Sequence, residues 1–218
     1  MAENPPSRRS FLIKCAIGGT AAAALGGFGF VLRKDQTWVD SEPYQRDGGS
    51  SADSVVIVYS RSGNTLLASR ELARQLDADL FRIQAPAYPQ TFPGQMRASS
   101  DASEKLRISE ISHAEINFEN YQRVLLCSPT WWYRPAVPLW SFVDNHDFAN
   151  RDVFLLLTGN SGYRAENIDE FGELVSARGG RLTGHHFIER GRVFWQLSDD
   201  ELRERAKDLA STLAARFG

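Results

Sequence analysis

The sequence predicts an α/β fold in which a doubly wound, five-stranded parallel sheet carries helices on both faces. Short apolar segments alternate with amphipathic stretches after residue 54, 42% of the residues are hydrophobic, and 24% are charged. Continuous apolar strands are typical of parallel sheets covered on both sides, and this composition suits one globular domain with a sizeable core. We therefore expect the folded domain at residues 54–218.

Five strands are predicted. In chain order they are residues 54–59, 79–83, 123–128, 152–158 and, with a weaker pattern, 182–188. Each is a short, largely apolar run bounded by polar or turn-forming residues, as strands of a buried sheet are.

Helices are predicted between and after these strands. They cover about residues 65–76, 95–108, 165–178 and 198–216. The third has Ile168, Phe171 and Val175 on one face and ends at Gly179, a residue type that is common just after a helix.

The last helix has a clear start signal and a clear buried stripe. Ser198 followed by Glu201 has the spacing of a capping box. The predicted buried stripe consists of Leu202, Ala206, Leu209 and Leu213. These positions recur with helical spacing, so we expect them to face the sheet.

Residues 1–32 predict an export signal. Arg8 and Arg9 precede an uncharged, Gly- and Ala-rich run at residues 15–32. This order matches the twin-arginine pattern, which predicts a periplasmic or otherwise exported protein. The run reaches the roughly 18 residues that can span a bilayer, so an uncleaved membrane anchor is the alternative. Residues 33–53 are polar and rich in turn formers, as in a linker.

Charge and histidine placement exclude two other classes of function. The formal net charge is −2 and basic residues are interspersed with acidic ones, so no nucleic-acid partner is expected. His185 and His186 are adjacent on a predicted strand and should point to opposite faces, so no metal site is predicted. Arg190 and Arg192 follow that strand and either dock an acidic partner or, as we favour, solvate a hairpin.

The loop after the first strand suits an anion. Its residues are Ser60, Arg61, Ser62, Gly63, Asn64 and Thr65. It offers hydroxyl and amide donors, a glycine and no acidic group, and it leads into a helix whose N-terminus attracts phosphate. The spacing matches neither the nucleoside triphosphate loop nor the G-x-G-x-x-G loop of dinucleotide-binding proteins. The alternative is an ordinary helix N-cap.

Two further loops are expected at the same edge of the sheet. After the third strand come Pro129, Thr130, Trp131, Trp132, Tyr133 and Arg134; after the fourth come Thr158, Gly159, Asn160, Ser161 and Gly162. Flat aromatic side chains stack well on a planar ring, although one tryptophan of an adjacent pair can instead cover the core. Ligands of such sheets bind beyond the carboxyl ends of the strands. The three loops together predict a ligand with a phosphate and a flat heterocycle.

The segments YSRSGNT, SPTWWYRPAVPLWSFVDN, TGNSG and GGRLTGHHFIERGRVFWQ resemble the flavodoxin family, from residue 54 to the end of the chain. The resemblance implies the strand order 2-1-3-4-5 and non-covalently bound FMN. It implies that residues 60–65 bind the phosphate, that residues 129–133 flank the isoalloxazine, and that residues 158–162 close over its other side.

The sequence departs from the family pattern in the second loop. Flavodoxins commonly stabilise a one-electron reduced flavin by turning a glycine peptide, and PTWWYRPA has no glycine. This departure favours two-electron chemistry. Arg134 is expected either near the N1 and O2 edge of the flavin or at the surface beside Asp144 or Asp147.

The function expected from the resemblance is electron transfer outside the cytoplasm, between the flavin and a redox partner protein or a small quinone-like acceptor. The alternative is an FMN-dependent NAD(P)H:quinone-type reductase. A third hypothesis keeps the fold without the flavin and makes the domain a non-redox binding module. Contact with a membrane is expected only through an uncleaved N-terminal segment.

Overall fold

The computed structural model describes residues 44–46, 52–191 and 195–217. The predicted export signal, most of the predicted linker and Arg192 therefore lie outside the described residues. Within these ranges, no helix combines the length and apolar character that crossing a membrane requires.

The core of the domain is a twisted parallel sheet. Its strands are β1 (Ser54–Tyr59), β2 (Asp79–Ile83), β3 (Arg123–Trp131), β4 (Arg134–Pro135), β5 (Asp152–Gly159) and β6 (Arg181–Glu189). The five long strands are parallel in the order β2-β1-β3-β5-β6, and β4 pairs only with the end of β3, in the antiparallel sense. With this two-residue strand set aside, the order is the predicted 2-1-3-4-5, and the fold class is confirmed.

Helices cover both faces of the sheet. They are α1 (Asn64–Gln75), α2 (Phe92–Ser103), α3 (Val137–Asp144), α4 (Ala165–Ala177) and α5 (Asp199–Phe217). Helices α1 and α5 share one buried cluster with Val56, Val58 and Cys127 of the sheet. Helices α3 and α4 share a second cluster with Val55 and Ile57 on the opposite face. Alternate residues of β1 thus enter opposite cores, as the two-residue period of a strand requires. Ala98 and Ala102 of α2 lie in a third, smaller cluster.

The predicted ends of α4 and α5 are confirmed. Gly179 follows α4 with φ 73°, a left-handed conformation that costs glycine little. The Ser198 amide donates to Glu201 Oε2 over 2.7 Å, and the Glu201 amide donates to Ser198 Oγ over 3.2 Å. This is the reciprocal pattern of a capping box. All four residues of the predicted stripe on α5 are buried.

Several elements differ from the prediction. Strand β4 was not predicted, and β3 continues to Trp131, beyond the predicted end at residue 128. Helix α3 was not predicted because seven of its eight residues are buried, so its sequence lacks the polar face that reveals a helix. Helix α2 begins at Phe92, three residues earlier than predicted, because Thr91 caps it by accepting a hydrogen bond from the Gly94 amide over 3.3 Å.

Candidate functional site

The site lies where the order of the strands reverses. Strand β2 lies beside β1 toward one edge of the sheet, and the next strand, β3, lies on the opposite side of β1. A crevice for ligands forms at the carboxyl ends of strands at such a point. The loops that follow β1, β3 and β5 all reach this edge, in agreement with the predicted convergence of three loops.

The first loop forms the N-terminus of α1. Gly63 precedes the helix with φ 95°, and its amide donates to Ser60 Oγ over 3.2 Å. No side chain caps α1, and its first turn contains no acidic residue. The first amide groups of a helix have no partner within the helix, and the helix dipole adds partial positive charge there. The loop therefore offers several donors to an anion.

Two residues of this loop are buried behind its surface. Thr65 is 1% exposed, and its hydroxyl lies 2.8 Å from the hydroxyl of Thr158 at the end of β5. Asn64 is 7% exposed and donates from Nδ2 to Ser62 Oγ over 3.3 Å. The Thr65 side chain thus joins the first loop to the third, while Ser62 is half-buried at the surface of the loop.

Helix α2 and the turn before it close one side of the first loop. The Arg61 guanidinium donates to Gln95 Oε1, and the Gln90 side chain donates to the carbonyl oxygen of Arg61. Neither glutamine was predicted from the sequence, because both lie in a polar stretch without a motif. Only the packing of α2 beside the loop shows their role.

The second loop is a tight hairpin built from two aromatic residues. Trp131 pairs with Arg134, which leaves Trp132 and Tyr133 as the two turn residues. Both have positive φ, 50° and 62°. A two-residue hairpin of this type needs positive φ at both positions, where asparagine and glycine are usual and bulky residues are strained. Such strain is concentrated at functional sites.

The two adjacent tryptophans face different surroundings, as the alternative in the sequence analysis allowed. The Trp131 ring makes edge-on contacts with Tyr59 at 5.5 Å and Tyr88 at 5.0 Å between ring centres. The Trp132 side chain is 57% exposed and donates from Nε1 to Ser99 Oγ of α2 over 2.8 Å. Trp131 therefore packs against the core, and Trp132 and Tyr133 present aromatic surface to solvent.

The backbone of the hairpin is held from the α4 side. The Tyr133 carbonyl oxygen accepts hydrogen bonds from the Arg164 amide and from Asn167 Nδ2, each over 3.0 Å. The Arg164 guanidinium also lies over the Tyr133 ring, 5.1 Å from its centre. These contacts fix the direction of the Tyr133 carbonyl group. Asn167 could not be predicted as part of the site, because it lies in a helix far along the chain.

The third loop packs tightly against the second. A Cβ atom on Gly159 would lie 2.1 Å from Thr130 Oγ1, so the two loops approach too closely for a larger residue without a shift of Thr130. Gly162 has φ 89° and faces open space. Asn160 is half-buried and Ser161 is exposed. The loop can therefore present backbone groups to a ligand beside the hairpin.

Arg134 lies inside the protein and not at the ligand-facing surface. It is 1% exposed, and its guanidinium carbon lies 4.4 Å from the centre of the Trp140 ring. Burial lowers the pKa of the Arg134 guanidinium. The expected surface pairing with Asp144 is wrong, because Asp144 pairs with Arg178 at 2.6 Å. As placed, Arg134 is shielded from a surface ligand.

Arg190 is also buried, which corrects the expectation that it solvates a hairpin. It is 5% exposed, and its Nε donates to Asn64 Oδ1 over 3.2 Å. Its Nη2 forms an ion pair with Asp199 at 3.2 Å, and its amide donates to the Gly159 carbonyl oxygen over 2.7 Å. Arg190 thus contacts the first loop, the third loop and the start of α5.

The residues present fit a phosphorylated planar ligand. The first loop supplies hydroxyls, an uncapped helix N-terminus, a glycine with positive φ and no acidic group. The hairpin supplies exposed aromatic surface next to it. The expected pair of stacking indoles is reduced to one, because Trp131 faces inward, and Tyr133 supplies the second exposed ring.

Comparison with known proteins agrees with this geometry. A flavodoxin family model matches residues 53–185. The FMN complex of a flavoprotein from Lactobacillus acidophilus NCFM is 19% identical with a TM-score of 0.55, over 62% of this chain and 93% of that chain. A protein from Bacteroides uniformis ATCC 8492, assigned as a flavoprotein, is 16% identical with a TM-score of 0.56, over 74% of this chain and 99% of that chain.

A third structure, from Bacteroides eggerthii DSM 20697 and likewise assigned as a flavoprotein, is 20% identical with a TM-score of 0.53, over 73% of this chain and 98% of that chain. No curated protein sequence matches the chain. The structural likenesses show the fold, and the family model matches more than half of the sequence. The chain belongs to the flavodoxin family.

Proposed function

We propose that this chain is an FMN-binding redox protein that transfers electrons outside the cytoplasm. The observation that carries the proposal is the convergence of three loops, an anion-binding helix N-terminus, an exposed aromatic hairpin and a glycine-containing turn, at one edge of the sheet. Membership of the flavodoxin family and the FMN complex of the Lactobacillus flavoprotein support FMN as the cofactor.

Each loop has a distinct part in holding FMN. Residues 60–65 bind the phosphate through backbone amides and hydroxyl groups, which is favourable at a helix N-terminus. Trp132 and Tyr133 supply aromatic surface for the isoalloxazine, and residues 158–162 supply backbone hydrogen-bonding groups for its edge. FMN, when bound, supplies reversible reduction by one or two electrons.

The exposed aromatic hairpin also supports transfer to an external acceptor. Trp132 is 57% exposed and Tyr133 is 37% exposed, so a small quinone-like molecule or a partner protein can approach this loop directly. Export by the twin-arginine route suits such a protein, because that route moves folded proteins and lets FMN bind before transport. Replacing Arg8 and Arg9 by lysine should retain the protein in the cytoplasm, as cell fractionation would detect.

A second candidate function is an FMN-dependent NAD(P)H:quinone-type reductase. The hairpin after β3 favours the reductase, because the turn of the hairpin lacks glycine and two hydrogen bonds hold the Tyr133 carbonyl oxygen. A turn fixed in this way offers no glycine peptide to turn with the redox state. The two candidates differ in the number of electrons exchanged per step.

Purification and anaerobic titration test both candidates. The full chain should purify with flavin that denaturation releases as FMN, or should take up added FMN. Stepwise reduction with dithionite, followed by absorbance, should show a one-electron intermediate for an electron carrier and direct bleaching for a two-electron reductase. Steady NAD(P)H oxidation with a quinone would support the reductase. Protein that neither contains nor takes up FMN would exclude both candidates, and the non-redox binding module would be the remaining hypothesis.

A further inference from the structure

Arg190 links the elements that form the proposed phosphate site. Its Nε donates to Asn64 Oδ1 over 3.2 Å, and its backbone amide donates to the carbonyl oxygen of Gly159 over 2.7 Å. Asn64 and Arg190 are 126 residues apart in the chain. A single buried side chain therefore fixes the end of β6 against the first loop.

The contact with Arg190 determines how the Asn64 amide is oriented. A guanidinium group has donors and no acceptor, so the atom of Asn64 that faces it must be the carbonyl oxygen. The NH₂ group of Asn64 then points the other way and donates to Ser62 Oγ over 3.3 Å. Because Ser62 accepts this bond, its hydroxyl proton is directed to another acceptor. Arg190, Asn64 and Ser62 thus form a relay that ends in a donor at the loop surface.

The positive charge of Arg190 also favours an anion at the first loop. Its side chain is 6% exposed, whereas the side chain of its ion-pair partner Asp199 is 43% exposed. Water screens the charge of Asp199 more than that of the buried arginine, because screening decreases with burial. Positive potential therefore extends from Arg190 toward the amide of Asn64 and the first loop.

We propose that Arg190 is a positioning residue that makes this site selective for a flavin carrying a phosphate monoester over one without it. The relay keeps the amide oxygen of Asn64 away from the anion and keeps the Ser62 hydroxyl as a donor. This inference rests on the proposed binding of FMN. Beyond that function, it identifies Arg190 as the residue that makes the site prefer FMN to riboflavin.

The test compares the affinities of the flavin-free full chain for FMN and for riboflavin, measured by quenching of flavin fluorescence. Arg190→Met should weaken FMN binding by about 10- to 100-fold, because Asn64 and Ser62 lose the orientation that favours a charge-assisted hydrogen bond to the phosphate, and should leave riboflavin binding unchanged. Arg190→Lys keeps the charge and should bind FMN more tightly than Arg190→Met. Arg203→Met removes an exposed arginine that pairs with Asp200, and serves as the control.

A double-mutant cycle tests the relay itself. If Arg190 acts through Ser62, the losses of FMN affinity in Arg190→Met and Ser62→Ala should be less than additive in the double variant. Should Arg190→Met fail to fold, Asn64→Ala interrupts the relay and should show the same FMN-specific loss.

Equal weakening of FMN and riboflavin in these variants would show that Arg190 only maintains the fold, and unchanged FMN binding would exclude any role. Either result overturns the inference and leaves the proposed function intact. A wild-type chain that binds neither flavin would instead overturn the proposed function.

Discussion

At the scale of single residues, the adjacent Trp131 and Trp132 differ in their surroundings: one ring packs in the interior and the other is exposed at the candidate site. The Trp131 ring contacts Tyr59 and Tyr88 in the interior. The Trp132 ring is mostly exposed and is fixed by one hydrogen bond to Ser99. The backbone explains the difference, because Trp131 is the last residue of β3, whereas Trp132 lies in the turn and has φ 50°.

We expect opposite consequences when the two tryptophans are replaced by alanine. Trp131→Ala should lower the free energy of unfolding by about 2 to 4 kcal/mol, because it removes a large, partly buried ring. Trp132→Ala should change that free energy by less than about 1 kcal/mol and weaken FMN binding about 2- to 10-fold, through loss of a stacking surface. Urea denaturation and flavin fluorescence measure the two effects; the reverse pattern would contradict this assignment of the rings.

At the scale of elements, the start of α5 connects helix stability to the ligand site. Ser198 and Glu201 form the capping box, and Asp199 in the first turn pairs with Arg190. Fraying of this turn would withdraw the partner of Arg190. We therefore expect the capping box of α5 to affect, through Asp199 and Arg190, the position of the loop between β1 and α1.

Replacing Ser198 tests the first step of this connection, the contribution of the capping box to stability. Ser198→Ala is expected to lower the free energy of unfolding by about 1 kcal/mol, because the Glu201 amide at the helix start loses its partner, the Ser198 hydroxyl oxygen. Ser211→Ala is the matched control, because the Ser211 hydroxyl is exposed on the same helix and only donates to the Lys207 carbonyl oxygen. Both free energies come from urea denaturation, and equal losses in the two variants would show that the capping box adds no stability.

Elements with periodic patterns and local end signals could be predicted from the sequence, and the others could not. Three features could be predicted because each depends on residues close in the chain: strand β1, the buried stripe on α5, and the end of α4 at Gly179. Helix α3 was missed because it is buried on all sides, and the antiparallel return of β4 was missed because Trp132 and Tyr133 are unusual turn residues.

The site residues divide in the same way. That residues 60–65, 129–134 and 158–162 lie at one edge of the sheet could be predicted because they follow predicted strands, and FMN binding by these residues stays a prediction. The burial of Arg134 and the roles of Gln90, Gln95 and Asn167 depend on contacts between distant segments. For Arg190, the sequence could not distinguish a solvated arginine from one that bonds to Asn64, 126 residues away.

At the scale of the whole molecule, buried tyrosines predict how stability depends on pH. Burial raises the pKa of Tyr59 and of Tyr88 above the ordinary value. Burial and the hydrogen bond that Tyr121 donates to Asp79 raise the pKa of Tyr121 to about 12. The folded state therefore keeps these phenol protons at a pH where the unfolded chain loses them.

The free energy of unfolding should be insensitive to these tyrosines below about pH 10, where both states are protonated, and should fall as the pH rises toward about 12. Tyr121→Phe should reduce the steepness of this fall, because phenylalanine does not ionise. Urea denaturation at several alkaline pH values measures the slope, with Tyr163→Phe at an exposed position as the control. Identical slopes in both variants would contradict the role of Tyr121.

The contact between Arg190 and Asn64 also sets a time order during synthesis. Asn64 of the first loop leaves the ribosome 126 residues before Arg190, the buried arginine that donates to it. At about 5 to 20 residues per second, that interval is about 6 to 25 s. A nascent chain in this interval contains the loop without Arg190, so we expect the full affinity for FMN to develop only after the last strand and the first turn of α5 have been translated.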